Sequence, residues 1–214
     1  LYISFSSGMS GSFDNMTVLQ QKLLKEFPTN KFVMVDSLSG GGGEGLLVYY
    51  AKKMQQEGKS IEEITAWLEE NKYNCHHIFI VDDLENLKRS GRISKISALV
   101  GMIIGVKPVL TLSYHGKVQP LAKTMGRKKA ITTMINEMKK AFVAEQNEFV
   151  LVGNCDCLDD AHALGERIKK EFGIEDIRYS TVTHLVGANV GPDALVVYFM
   201  GKKREKSILE MIKK

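Results

Sequence analysis

Apolar positions along the chain recur with two periods, and the switch between them marks out the elements. Runs of five to eight apolar or alternating residues predict strands at Leu1–Phe5, Lys31–Val35, His77–Val81, Phe149–Gly153, Asp176–Thr183 and Ala194–Met200. Helical spacing predicts helices over Phe13–Phe27, Glu44–Glu57 and Leu158–Phe172, the last closed by Gly173. Ser60 with Glu63 three residues on is a capping-box signature, and the helix it opens runs to Asn71. Val109–Ser113 and Lys117–Lys123 flank Tyr114-His115-Gly116, which reads as a hairpin. Gly126 precedes a helix reaching Phe142. Asp82 is placed to cap a short helix ending at Gly91, Ile93–Ile104 reads as an apolar helix, and the tail from Lys202 as a charged peripheral one.

Strand and helix alternate in the first third, which argues for parallel βαβ units. A hairpin and helices on one face follow. The expected class is therefore α/β in two domains: a parallel-sheet α/β first domain, residues 1–73, and an α+β second domain, residues 74–214, joined through polar Asn71–Asn74. Leu1 falls inside a strand already under way, so a missing leading segment is expected. No repeat period is present.

Composition narrows the class. The 214 residues are 44% hydrophobic and 25% charged, which suits a globular chain and excludes disordered, collagen-like and disulfide-scaffold classes. The longest nearly apolar run, Ile96–Val106, is too short to span a bilayer, and the first residues carry no cationic-then-apolar signal pattern. A net charge of +4 is mild for a dedicated nucleic-acid binder, and no groove-reading motif is present. Three cysteines, Cys75, Cys155 and Cys157, form neither a closed disulfide set nor a CxxC pair, so structural thiols in a reducing cytoplasm are expected.

Candidate chemistry sits in the loops. Ser6-Ser7-Gly8-Met9-Ser10-Gly11-Ser12 lies between a strand and a helix, at the strand end where open α/β folds bind ligands. Free N–H groups and hydroxyls there suit an oxyanion, while the pattern alone fits a serine-capped turn at least as well. It is not a P-loop, since no GK[ST] follows. The run Gly40–Gly43 fits a flexible connection, or close packing against a ligand or the first loop. Asp82 and Asp83 fit helix capping better than a Mg²⁺ site. Arg89, Arg92, Lys95, Arg127, Lys128 and Lys129 form either a solvated basic face or a docking surface for an acidic partner. His184 stands before a Gly/Pro-rich turn. HExxH and GxSxG are absent.

Five ordered segments resemble the DegV family of bacterial fatty-acid-binding proteins: SFSSGMSGSF, VDSLSGGGGEGLLV, VDDLENLKRSGRIS, VKPVLTLSYHGKVQPLAKTMGRKKA and VGANVGPDALVVYFMG, together covering essentially the whole chain. The resemblance implies a two-domain α/β protein that buries a long-chain fatty acid between its domains, without a cofactor and without catalysis of its own. The first domain would hold the head group and the second would contribute to the acyl tunnel. The acid's carboxylate would meet Ser7, supported by Ser6, Gly8 and Ser10, with Asn189 in the matching C-terminal loop. It would be presented to a separate acyl kinase, with Arg89, Arg92 and Arg127 as docking candidates. A monomer, binding neither metal nor nucleic acid and not inserted in a membrane, is expected. The apolar segment with Met102 fits a tunnel wall and a core helix equally. The family's upstream T-S-Q-P-S-type loop has no counterpart here, Asn189 stands where the family usually has His, and Asp193 replaces a Gly. The alternatives are a phosphotransferase-like enzyme of related fold and a regulatory binding protein.

Overall fold

The computed structural model describes residues 1–93 and 105–205. The expected helices over 93–104 and from Lys202 fall largely outside them, as do Met102 and Lys95. Strands β1 (Tyr2–Ser4) and β2 (Met34–Asp36) pair in parallel, joined by α1 (Ser12–Glu26). Helices α2 (Gly42–Gln56) and α3 (Ile61–Asn71) follow. The remaining elements are β3 (Cys75–Ile80), α4 (Glu85–Arg89), β4 (Val106–Leu112), β5 (Val118–Met125), α5 (Arg127–Ala141), β6 (Val150–Asn154), α6 (Leu158–Phe172), β7 (Ile177–Thr181), α7 (His184–Val190) and β8 (Leu195–Met200). Six of these strands form one mixed sheet in the order β5-β4-β3-β8-β6-β7, in which only β6 and β7 run parallel.

Local signals explain the boundaries. At α3 the Ser60 hydroxyl accepts from the Glu63 N–H at 3.1 Å, and the Glu63 carboxylate accepts from the Ser60 N–H at 2.8 Å. Gly173 ends α6 in the left-handed conformation that lets the chain turn away. The Asp82 expectation is corrected. Asp82 is ion-paired with Lys107, and it is Asp83 that accepts the first N–H of α4, from Glu85 at 2.8 Å. A short helix admits either neighbour as its cap, and the lysine across the sheet edge decides which is free.

The central strands of the six-stranded sheet are buried on both faces. Ile78 and Ile80 of β3 and Val197 and Phe199 of β8 pack with Met134 and Ile135 of α5 and Leu164 and Ile168 of α6. The alternate residues, Phe79, Val196 and Tyr198, face a second core built with Leu46 and Leu47 of α2, Leu68 of α3 and Val35 of β2. Helices α5 and α6 thus share one face as expected, and the other face is roofed by the first part of the chain. Burial on both sides is why β8 reads LVVYFM without a polar alternation.

The glycine run is a packing device. A Cβ on Gly43 would stand 2.1 Å from His77 Nε2, and one on Gly42 would stand 2.6 Å from both Leu151 and Tyr198. The first turn of α2 can therefore lie directly on the sheet. Gly41, at φ +55°, sets the entry angle.

Candidate functional site

An apolar cavity of about 280 Å³ opens on that second face. Its floor is sheet: Phe79, Leu112, Val118, Val196 and Tyr198. Leu87 of α4 and Leu185, Val186 and Val190 of α7 form the opposite wall. Phe5 and Met9 close one side, beside Gly40, where a Cβ would stand 2.6 Å from the Phe5 ring. The solvent-reached polar lining residues, Ser10, Ser12, Arg92 and Asn189, mark the mouth.

Helix α7 is where the sequence reading and the structure part. Residues 185–192, after His184, read as a Gly/Pro-rich turn, whereas His184–Val190 is helical. Gly187 inside it and Gly191-Pro192 after it disguise the pattern, while Leu185, Val186, Asn189 and Val190 share the face that meets the cavity. Leu185 is nonetheless 81% exposed, so this helix rests on the mouth and not in the core. Helix α4 packs against α7, where a Cβ on Gly191 would stand 2.4 Å from Asn86 Nδ2.

The Ser/Gly loop divides its work. Ser6 is buried: its hydroxyl donates to Gly116 O at 2.9 Å and accepts from the Gly8 N–H at 3.1 Å. Gly8 abuts the hairpin turn, with a Cβ there 2.4 Å from His115 O. Ser7 is exposed and bound to the Asp36 carboxylate through both its N–H and its hydroxyl. Those three residues hold the loop between the β2 end and the hairpin. Ser10 lines the cavity, its hydroxyl paired at 2.7 Å with that of Ser12, which the sequence reading did not single out. Asn189 also lines it, with Nδ2 donating to Leu185 O within the helix.

The three candidate docking arginines differ. Arg89 lies on α4 and donates to Asn86 Oδ1 at 2.7 Å. Arg127 is ion-paired with Asp160 and donates to Asp193 O at 2.8 Å. Arg92 reaches the cavity, its Nε donating to Met9 O at 3.2 Å and Nη1 to Ser90 O at 2.6 Å. Among the described residues no group of three or more His, Cys, Asp or Glu is placed to hold a metal ion. The three cysteines are unbridged, and burial pushes each thiol's pKa up.

His77 on the cavity wall is buried, with Nε2 at 3.2 Å from the Gly40 backbone N and O. Loss of water pushes its pKa down from the ordinary value of 6.5 to about 3, so the fold holds it neutral. The unfolded chain takes up that proton first. His77 therefore contributes stability above pH 6.5 that is lost as the pH falls toward 3, about 2 kcal/mol by pH 5. The urea midpoint should drop from pH 7 to pH 5 by more in the wild type than in His77→Gln. An equal drop would contradict a neutral, desolvated imidazole.

Fold and site together define an α/β protein with an oily internal compartment and a polar mouth. The DegV family profile, described as that of an uncharacterised protein family, matches residues 1–202, and the chain belongs to this family. A DegV domain-containing protein of Clostridium perfringens is 37% identical over 205 residues, covering 96% of this chain and 70% of the relative. A second from Streptococcus pyogenes serotype M1 is 32% identical over 202 residues, covering 94% and 70%. A fatty-acid-binding DegV protein of Thermus thermophilus superposes with TM-score 0.79 at 27% identity, over 93% of this chain and 70% of that one. The Streptococcus pneumoniae Fatty Acid Kinase (Fak) B3 protein, loaded with linoleic acid, superposes with TM-score 0.84 at 23% identity, over 94% and 70%. DegV-family structures thus carry fatty acids. No helix among the described residues of this chain is long and apolar enough to cross a membrane.

Proposed function

We propose that this protein binds a long-chain fatty acid, tail in the cavity and carboxylate at the mouth, and hands the carboxylate to a partner acyl kinase without performing chemistry itself. The observation that carries this reading is the apolar cavity closed between the Ser/Gly loop, the sheet and α7. Each buried acyl methylene is worth about 0.8 kcal/mol, so a dozen supply roughly 10 kcal/mol before ordering costs. The tail therefore provides affinity, and the polar mouth provides orientation.

In this reading residues 1–73 form the head-group unit and 74–214 contribute to the tail compartment. Ser10 and Asn189 meet the head group from the mouth. Ser6, Ser7 and Gly8 set the loop, and Ser7 serves the carboxylate by exchanging its bond to Asp36. Arg89, Arg92 and Arg127 give the kinase a basic face, which steers an acidic partner. The protein works as a cytoplasmic monomer. The phosphotransferase alternative would draw on Asp82 and Asp83, and the ion pair from Lys107 to Asp82 weighs against it.

Organic extraction of the purified protein followed by mass spectrometry should yield a fatty acid in near-stoichiometric amount. A protein that carries none, and that fails to take up added oleic acid, would refute the reading.

A further inference from the structure

We infer that His77 is a specificity-determining contact for the tail, the group that lets the compartment accept a fatty acid carrying a hydroxyl along its chain. The inference rests on the acyl-binding reading above and narrows its ligand class. Three buried side-chain polar atoms have no hydrogen-bond partner among the described residues: Ser39 Oγ, His77 Nδ1 and Arg127 Nη2. Of these three residues only His77 lines the cavity. It is 4% exposed, and its other ring nitrogen, Nε2, is occupied by the Gly40 backbone at 3.2 Å. The Cys75 backbone slightly favours protonation of the ring but makes no hydrogen bond to Nδ1. Tyr198, which also lines the cavity and is equally buried, has the Gly42 backbone at its hydroxyl.

Strand register sets the depth of the contact. Strands β3 and β8 pair antiparallel, with Ile80 opposite Leu195 and His77 opposite Tyr198. The mouth residues Arg92 and Asn189 lie on the segments that follow β3 and precede β8, so Ile80 and Leu195 mark the strand ends nearer the mouth. His77 stands three residues further in, about 10 Å along the strand. A carboxylate at the mouth therefore leaves the middle of the tail beside the imidazole. Burial holds the ring neutral, so it carries one donor and one acceptor nitrogen. Gly40 offers Nε2 both an N–H and a carbonyl, and whichever is used, Nδ1 takes the opposite role. A hydroxyl both donates and accepts, so it matches Nδ1 in either tautomer. A plain alkyl chain leaves Nδ1 unpaired, and a hydroxyl set against Phe79 and Val196 alone would be buried without a partner. Imidazole and hydroxyl satisfy each other in a compartment that otherwise penalises both.

Displacement of a fluorescent acyl probe by stearic acid and by 10- and 12-hydroxystearic acid, in the wild type and in His77→Gln, tests this. The glutamine amide can meet Gly40 where Nε2 does, while nothing polar remains at the Nδ1 position. The quantity read is the affinity for the tighter-binding hydroxy acid divided by that for stearic acid, which cancels any general damage to the compartment. The wild type should bind that hydroxy acid at least as tightly as stearic acid, although its hydroxyl must leave water, and His77→Gln should lower the ratio about tenfold. A wild type that binds both hydroxy acids more weakly than stearic acid would overturn the inference. So would an unchanged ratio in His77→Gln, which marks a structural role for the ring. A wild type that binds none of the three acids would instead refute the acyl-binding reading itself.

Discussion

Replacing Arg204 by alanine is expected to destabilise the protein by about 3–5 kcal/mol, read as a fall in the urea midpoint with an unchanged slope. Arg204 is only 7% exposed and its guanidinium donates to five carbonyls, those of Leu38, Lys72, Tyr73, Leu112 and Ser113. These belong to the loop after β2, the turn after α3 and the start of the β4–β5 hairpin turn, three segments distant in sequence. Each buried carbonyl left without a donor costs about 1–3 kcal/mol, softened where a water can enter. Lysine keeps the charge but is a single point donor that cannot reach all five, so Arg204→Lys should lose most of the same stability. A loss under about 1 kcal/mol in Arg204→Ala would show that the clamp is not needed. Because Gly116 O of the same turn holds the Ser6 hydroxyl, loosening the clamp should also blunt head-group binding.

Val118→Trp should reduce oleic acid binding about 100-fold or more while leaving the fold intact. Val118 opens β5, is half-buried, and lines the cavity floor near the hairpin. An indole there fills space now available to the tail. Excluding four methylenes forfeits roughly 3 kcal/mol at about 0.8 kcal/mol each, which is about two orders of magnitude in affinity. Titration with oleic acid, alongside thermal unfolding by circular dichroism, checks both halves of the expectation. Unchanged affinity in a folded Val118→Trp would place the tail elsewhere than in this cavity.

Much of the framework could be read along the chain because its causes are local. The Ser60–Glu63 box, the left-handed Gly173 after α6 and the Tyr114-His115-Gly116 turn act over three or four residues. Strand and helix types follow from periods of two and 3.6 that need no partner to be seen. The Ser/Gly loop was visible as a strand-to-helix junction, and the order of five segments marked the family.

The compartment was not visible, because its walls come from residues far apart in sequence: Met9, Leu112, Leu185 and Val196 share no local pattern. For the same reason Arg92 read only as part of a basic surface, since its place at the mouth depends on how α4 lies against α7 and the first loop. The glycines of 40–43 looked like a flexible link until the sheet residues His77 and Tyr198 stood against them. Local backbone preference and side-chain periodicity are written residue by residue, so the chain alone determined its elements, its α/β class and its turn chemistry. Which apolar faces meet, and where they fail to meet and leave a cavity, is decided by long-range packing in which each wall is placed by all the others.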